Sequence, residues 1–326
     1  MEYFIGWWNL ENLFDVEGSS DRPQWLQSKL KSELKGWSAT VLNKKITQLS
    51  QIIRQLNAGL GPDLLGVCEV ENRAVLEKLI EKINIAGRRY AVVHSDTRDA
   101  RGIDVAFIYD SKLFYKPKKK SVFNHVVLKR NATRDILQVN FKTKSEHKTE
   151  FVVIGNHWPS KLGGDLESAP YRILAAETLS YWLERIPEKL NKEVPIVVMG
   201  DFNDEPFNRS ILDYALGLKD SKRVKSKRSQ KPYLFNLMWR LQEDGVGTHY
   251  YDGWGMLDQI LVNRAILNDE AGLQWVPGSC EIFRNAQIIK SGKPRRFGRP
   301  SSSASYDVEG YSDHLPVYFR CREVAL

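Results

Sequence analysis

Two β-sheets packed face to face with helices on their outer sides, within one α/β (α+β) domain, are expected from three observations. First, four short apolar runs each end in polar residues: IGWWNLEN (5–12), DLLGVCEVEN (63–72), FVVIGNHWPSK (151–161) and PIVVMGDFNDEP (195–206). Second, helix-like and strand-like segments alternate up to residue 85, after which short β-rich runs with polar connections take over, the texture of antiparallel pairing. Third, no linker rich in Pro, Gly or Ser divides the 326 residues. Of these, 42% are hydrophobic and 27% charged, a balance that can bury a sizeable core.

In order, residues 2–8 read as a first strand ending in Asn9-Leu10-Glu11-Asn12, and 15–36 as a polar loop with a short helix. From Ser38, the residues Leu42, Ile46, Leu49, Ile53 and Leu56 recur at spacings of four and three, one helix face closed by Asn57 and Gly59. Residues 63–70 form the next strand and 72–85 a second amphipathic helix, with Val75, Leu76, Leu79, Ile80 and Ile83 facing inward. Runs at 90–95, 103–109, 122–128, 135–141 and 151–155 read as strands, and a helix over 169–186 follows them. The run 196–199, bounded by Pro195 and Gly200, has the length of a fully buried strand. Residues 208–216 are expected to be helical, 257–262 a strand carrying Asp258, and 316–320 the last strand, directly after Ser312-Asp313-His314. Two segments carry no element: 219–231 (KDSKRVKSKRSQK) and 291–310, with Arg295, Arg296 and Arg299. They read as solvated loops, with phosphate contact beside a polar site as the alternative.

The chain has 48 basic and 40 acidic residues, a net charge of +8, which fits a polyanionic substrate without requiring one. Cys68, Cys280 and Cys321 show no paired spacing, so neither a disulfide framework nor a cysteine metal site is supported. No apolar stretch approaches the roughly 20 residues that span a membrane. The first motif starts by residue 5, leaving no room for a signal peptide, and a cytoplasmic monomer is the default expectation.

Asp201, Asn203, Asp204 and Glu205 crowd the end of one buried strand, a costly arrangement unless they bind or react with something. Across the clusters, Glu69, Asp201 and Asp313 supply carboxylates, while Asn9 and Asn203 supply amide oxygens. Hard oxygen ligands suit Mg²⁺ or Mn²⁺. No HExxH or CxxC pattern favours zinc. Glu11, Glu71 and Asp204 either support such ligands or face solvent. For any one carboxylate a surface or capping role would suffice; their joint position after strands makes the case. His157 and His314 lie within the clusters, and Asp258 is available to orient an imidazole. A cationic imidazole is useful where negative charge develops on a phosphoryl oxygen. A serine-hydrolase reading of Ser312, Asp313 and His314 fails for want of a GxSxG elbow.

Together the stretches WNLEN, GVCEVEN, RGIDVAFIY, GNHWPSK, GDFNDEP, LDQILV and YSDHLPV resemble the endonuclease/exonuclease/phosphatase superfamily, the metal-dependent phosphoesterases that share the DNase I fold. They come in that family's order from residue 7 to 318, and in detail look most like a bacterial branch of unspecified substrate. The resemblance implies a DNase I-like four-layered sandwich with two mixed, mostly antiparallel sheets. It implies Glu69 as metal ligand, with Asn9, Asp313 and Glu11 near the metal. Asp201 matches the aspartate that activates the attacking water, and Asn203 its partner at the phosphate. Asp258 and His314 match the family's Asp–His pair, and His157 a phosphate-contacting histidine of the phosphatase and bacterial branches. Lys161 and Arg172 are further phosphate ligands by position. Cys68 departs from the glutamine of many DNA-repair relatives, so abasic-site activity is not implied.

The leading reading is a Mg²⁺-dependent phosphodiesterase acting on nucleic acid by in-line attack of water. It rests on the basic balance, the two Lys/Arg-rich segments, and Trp158, Tyr250, Tyr251 and Trp254 as residues able to stack on bases, with packing between the sheets as their ordinary role. The runner-up is a phosphatase or phosphodiesterase of small molecules or lipid head groups, towards which His157 in NHWPSK leans. A non-catalytic binding module on the same scaffold is disfavoured, because no matched catalytic position is missing.

Overall fold

A computed structural model describes all residues except 129–133, 162, 230, 269–271, 299–305 and 326. The chain opens with β1 (Glu2–Leu13), a short helix α1 (Gln24–Leu30) and the helix α2 (Ala39–Gln55), whose N-cap Ser38 accepts from the Val41 amide. Then come β2 (Leu64–Val70), α3 (Arg73–Ile83), β3 (Tyr90–His94), β4 (Asp104–Asp110), β5 (Val122–His125), β6 (Ile136–Lys142) and β7 (Glu150–His157). The long helix α4 (Asp165–Leu190) leads to β8 (Ile196–Asp201), β9 (Gly217–Leu218), α5 (Ser221–Lys225), β10 (Leu234–Asn236) and α6 (Trp239–Glu243). The last part holds a hairpin of β11 (His249–Tyr250) and β12 (Trp254–Gly255), then β13 (Asp258–Asn263), α7 (Arg264–Leu267), β14 (Leu273–Trp275) and β15 (Glu281–Ile282). A second hairpin, β16 (Ile289–Lys290) and β17 (Lys293–Pro294), precedes β18 (Val317–Glu323).

Two large mixed sheets result. The first has the order β14-β18-β1-β2-β4-β3 with β15 also on β18, the second β5-β6-β7-β8-β13-β10-β9. Most neighbours are antiparallel, but β9–β10, β1–β2 and β7–β8 are parallel, and the last two pairings make β1 end beside β2 and β7 beside β8. Side chains of β7 and β8 alternate between two cores. Val153, Val197 and Met199 join Trp7, Val67 and Phe107 between the sheets, while Val152, Ile154, Ile196 and Val198 pack under Ala175, Ala176, Leu179 and Leu183 of α4. Burial on both faces is why these strands read as unbroken apolar runs. Gly66 and Gly200 have no room for more. A Cβ at Gly66 would lie 2.6 Å from the Trp7 ring, and one at Gly200 2.6 Å from the backbone oxygen of Asn156 on β7.

Several expected boundaries move. β1 continues through Asn9, Glu11 and Asn12 instead of stopping at Trp8, because these polar side chains find partners within the fold. α4 is longer at both ends than 169–186 even though it contains Pro170 and Pro187; packing of its apolar face outweighs the lost amides. Residues 208–216 form only one wide helical turn, Ser210–Tyr214. Segment 219–231 contains α5, with Asp220 accepting from the Lys222 and Arg223 amides. Among the described residues no helix is long and apolar enough to cross a membrane.

Candidate active site

The register of three neighbouring strands builds half of the site. His157 at the end of β7 pairs across with Asp201 at the end of β8, and Asp258 at the start of antiparallel β13 pairs with Asp201 from the other side. One carboxylate is therefore flanked by an imidazole and a second carboxylate, all three buried. Asp201 accepts from the Asn9 amide at 3.1 Å and from the Asn203 backbone N–H at 3.0 Å. Asn203 reaches that position with φ of 51° and anchors its own amide on the Trp158 carbonyl at 2.9 Å. Burial pushes Asp201 up to about 7; His314 opposes this and Asp258 adds to it. A carboxylate poised near neutrality is matched to taking a proton from water.

His314 enters from the loop before β18. Its Nδ1 lies 2.7 Å from Asp258 Oδ2, whose other oxygen accepts from the Trp7 indole at 3.1 Å. The loop itself is pinned by Ser312, which donates to the Asn9 carbonyl, and by Trp8, which donates to the His314 carbonyl. Burial works against a charged ring here, but Asp258 and Asp201 outweigh it and raise His314 well above the ordinary imidazole range. The result is an imidazolium whose Nε2 is 3.9 Å from Asp201. His157 is the opposite case. Burial, then the charges of Arg134 and Arg101, hold it neutral, with Nε2 3.6 Å from Glu69 and 3.7 Å from Asp201.

The first sheet supplies carboxylates with open oxygens. Glu69 follows Cys68, whose register partner is Asn9, and sits in a bulge with φ of 59°. A non-glycine residue held there is strained, and such strain gathers at functional positions. Glu69 Oε2 accepts from the Asn12 amide at 2.9 Å, while Oε1 accepts no hydrogen bond among the described residues and has Arg101 at 3.9 Å. Burial would raise its pKa, but Arg101, Arg134, His314 and the Asn12 amide lower it, so it is ionised. Asp313 is partly exposed and accepts no hydrogen bond among the described residues, with Arg296 at 3.5 Å and Glu11 nearby. Two carboxyl groups with open oxygens, one of them the ionised Glu69, beside the Asn9 amide, fit a hard divalent cation.

Glu11 and the pair Lys161 and Arg172 have other partners. Glu11 is buried with both oxygens taken by Arg296 and the backbone N–H groups of Phe297 and Gly298, and with Lys45 at 3.7 Å. Burial and Asp313 raise it to about 6, and its role is to tie segment 291–298 to the site. Arg172 is buried against Asp204 at 2.8 Å, Asp165 and Ser168. Lys161 lies 3.3 Å from Asp204 and 3.5 Å from Asp165. These cations fasten the start of α4 to the turn after β8 through Asp165 and Asp204. Asp204 also accepts from Ser210, and Glu205 from the Met256 amide. Trp158 is buried edge-on to Phe202 and bonded to Asn156, so it packs and cannot stack on a base. Segment 219–231 lines a cleft with Glu184, Pro187 and Ile196, at the start of β8 and hence at the far end of the strand from Asp201. Arg299 lies outside the described residues.

Four groups at the site escaped sequence reasoning. Arg101 donates to Asn12 at 2.8 Å beside Glu69. Arg134 is buried, its Nε without a hydrogen bond and 3.6 Å from Asp99. Lys45 on α2 is buried and donates to the Tyr311 carbonyl at 2.7 Å. His249 stacks on His314 with ring centres 4.6 Å apart. Arg101 opens the stretch RGIDVAFIY and was within view; Lys45, on a helix face otherwise apolar, was a visible anomaly; Arg134 and His249 carry no signal in spacing.

The fold is shared with proteins of known structure. A crystal structure of an endonuclease/exonuclease/phosphatase family protein from Bacteroides thetaiotaomicron aligns at TM-score 0.56 and 15% identity, covering 98% of each chain. A mannosyl-6-phosphatase from the same species aligns at 0.54 and 15%, covering 99% of this chain and all of that one. D. rerio TDP2 complexed with single-strand DNA product aligns at 0.55 and 10%, covering 98% and 99%. These likenesses show a shared fold. No curated protein matches the chain by sequence. The model of the Endonuclease/Exonuclease/phosphatase family matches residues 4–323, and the chain belongs to that family.

Proposed function

We propose that the chain is a divalent-metal-dependent phosphodiesterase acting on nucleic acid. The observation that carries the reading is Asp201, a buried carboxyl near neutrality set in register between His157 and Asp258, with the His314 imidazolium 3.9 Å away. Glu69 and Asp313, with Asn9 beside them, would hold Mg²⁺, or Mn²⁺ in its place. The cation supplies Lewis-acid binding of a phosphate oxygen and offsets its charge.

The chain's own residues do the rest. Asp201 accepts the proton of the attacking water, and Asn203 holds Asp201 in line through its backbone N–H. His314 donates from Nε2 to a phosphoryl oxygen, because Nδ1 is committed to Asp258. His157, being neutral, offers one N–H and no charge. A second reading, a phosphatase of small phosphomonoesters, is favoured by Arg101 and Arg134: two cations near Glu69 suit a dianionic group. Plasmid DNA, single-stranded DNA, RNA, a bis-aryl phosphodiester and phosphomonoesters, each with Mg²⁺, Mn²⁺ or EDTA, separate the two. Metal-dependent cleavage of a nucleic acid is expected; turnover of small phosphoesters alone overturns the leading reading.

A further inference from the structure

The hairpin of β11 and β12 and the hairpin of β16 and β17 meet beside the catalytic pair, and neither is used by the chemistry above. The first hairpin is tied to the site at both legs. Thr248 accepts from the Leu315 amide through its carbonyl at 2.8 Å and from the Asp258 amide through its hydroxyl at 3.0 Å. Met256, after the second leg, donates to Glu205 at 2.9 Å. His249 bridges to His314 through the backbone and lies against its ring, held neutral at about 3 by burial and by the His314 charge. So the hairpin has a set position relative to the reacting atoms, and its turn lies about 7 Å along the strand from His249.

What the hairpin displays is unusual. Tyr251, at its turn, is 79% exposed, more than any other tyrosine on the large-hydrophobic surface, where the next is Tyr181 at 52%. Behind it Tyr250 and Trp254 pack edge to face at 5.6 Å. Lys293 sits 4.4 Å from the Tyr250 ring and Arg284 4.8 Å from the Trp254 ring. Both cations are exposed, and among the described residues neither pairs with a carboxylate. The one acid at the tip, Asp252, is outnumbered by them. An exposed tyrosine on a hairpin whose other two rings carry unneutralised cations, next to the catalytic pair, suits a base with its neighbouring phosphates.

We propose that this double hairpin is the binding ledge for a single-stranded nucleic acid running out of the active site. Tyr251 stacks on the base beside the scissile phosphate, and Lys293 and Arg284 hold the next phosphates. The proposal rests on the nucleic-acid reading above and sharpens it: a sugar phosphate or a lipid head group has no base for Tyr251.

The test compares two oligonucleotides of equal length and charge, one natural and one abasic throughout, by kcat/KM with Mg²⁺ and by fluorescence anisotropy in EDTA. The wild-type chain should prefer the natural strand by about tenfold, the scale of one stacked base. Tyr251→Ala should bring that ratio to about one. Lys293→Gln with Arg284→Gln should weaken both strands alike and flatten the salt dependence of binding. Equal rates on the two strands with the wild-type chain overturn the ledge and leave the nuclease reading standing. Cleavage of neither strand together with cleavage of plasmid DNA overturns the ledge alone, and cleavage of no nucleic acid overturns both. A ratio unchanged by Tyr251→Ala removes Tyr251 from recognition and ends the proposal.

Discussion

The second sheet brings to the site two carboxyl groups whose partners come mostly from elsewhere in the fold: Asp201 with Asn9 of β1 and Asn203, and Asp258 with His314 and Trp7 of β1. The first sheet brings Glu69, and the loop before β18 brings Asp313, whose carboxylates keep free oxygens and face cations instead. Asp201 and Asp258 are buried while Glu69 and Asp313 are partly exposed, but exposure alone does not assign their work. Pairing does. A carboxylate whose oxygens are spent orients and titrates; one with an open oxygen can bind a cation. Glu11 shows the rule from the other side, since it lies beside Asp313 yet has both oxygens occupied by Arg296 and two backbone amides. The difference teaches that strand ends of similar sequence, WNLEN and GDFNDE, divide the work through their partners.

The comparison can be broken most sharply in the paired half. Asp201→Ala or His314→Ala should lower turnover by about 10²–10⁴-fold, the range for general acid–base groups, while Mn²⁺ affinity measured by calorimetry stays close to that of the wild-type chain. A parallel loss of metal binding would merge the two halves into one. Next in size is Arg296→Ala, which frees Glu11 and removes the neighbour of Asp313. About 10–100-fold in metal affinity is expected, as for other groups that orient ligands, with the circular-dichroism spectrum unchanged.

The pH profile is a smaller effect with a definite sign. Asp201 must be ionised and His314 protonated, so kcat/KM should rise with pH through a limb at or below about 7, a bound cation pulling the limb downward. It should then fall where His314, held well above the imidazole range, loses its proton. An activity that declines as pH rises from 5 to 7 contradicts these assignments. Smallest of all, Lys222→Gln with Lys225→Gln should change turnover by no more than about twofold, since α5 lies at the far end of β8 and surface substitutions away from a site do little.

Much of this was readable beforehand where local pattern and global fold agree. The apolar runs of β2, β7 and β8 fall where expected, as do α2 with its Ser38 cap and α3 with Asn72. The polar ends of those runs do converge, because parallel β1–β2 and β7–β8 finish together. What could not be read depends on partners distant in sequence. The resemblance offers Lys161 and Arg172 as phosphate ligands by position, and both form ion pairs with Asp204, which sequence position does not reveal. The segments 219–231 and 291–310 look alike in composition. Among the described residues, 291–298 of the second reach the site, because the buried Glu11 binds Arg296, 285 residues away in sequence. Composition gives a loop its charge and says nothing of where the loop is tied.

The most direct test of the two-half account measures Mn²⁺ binding and bis-aryl phosphodiester turnover side by side for Glu69→Gln and Asp201→Asn. The account predicts that Glu69→Gln loses metal affinity and turnover together, whereas Asp201→Asn keeps its metal and loses turnover. Undiminished metal binding in Glu69→Gln, or near-normal metal-dependent hydrolysis in Asp201→Asn, would contradict it.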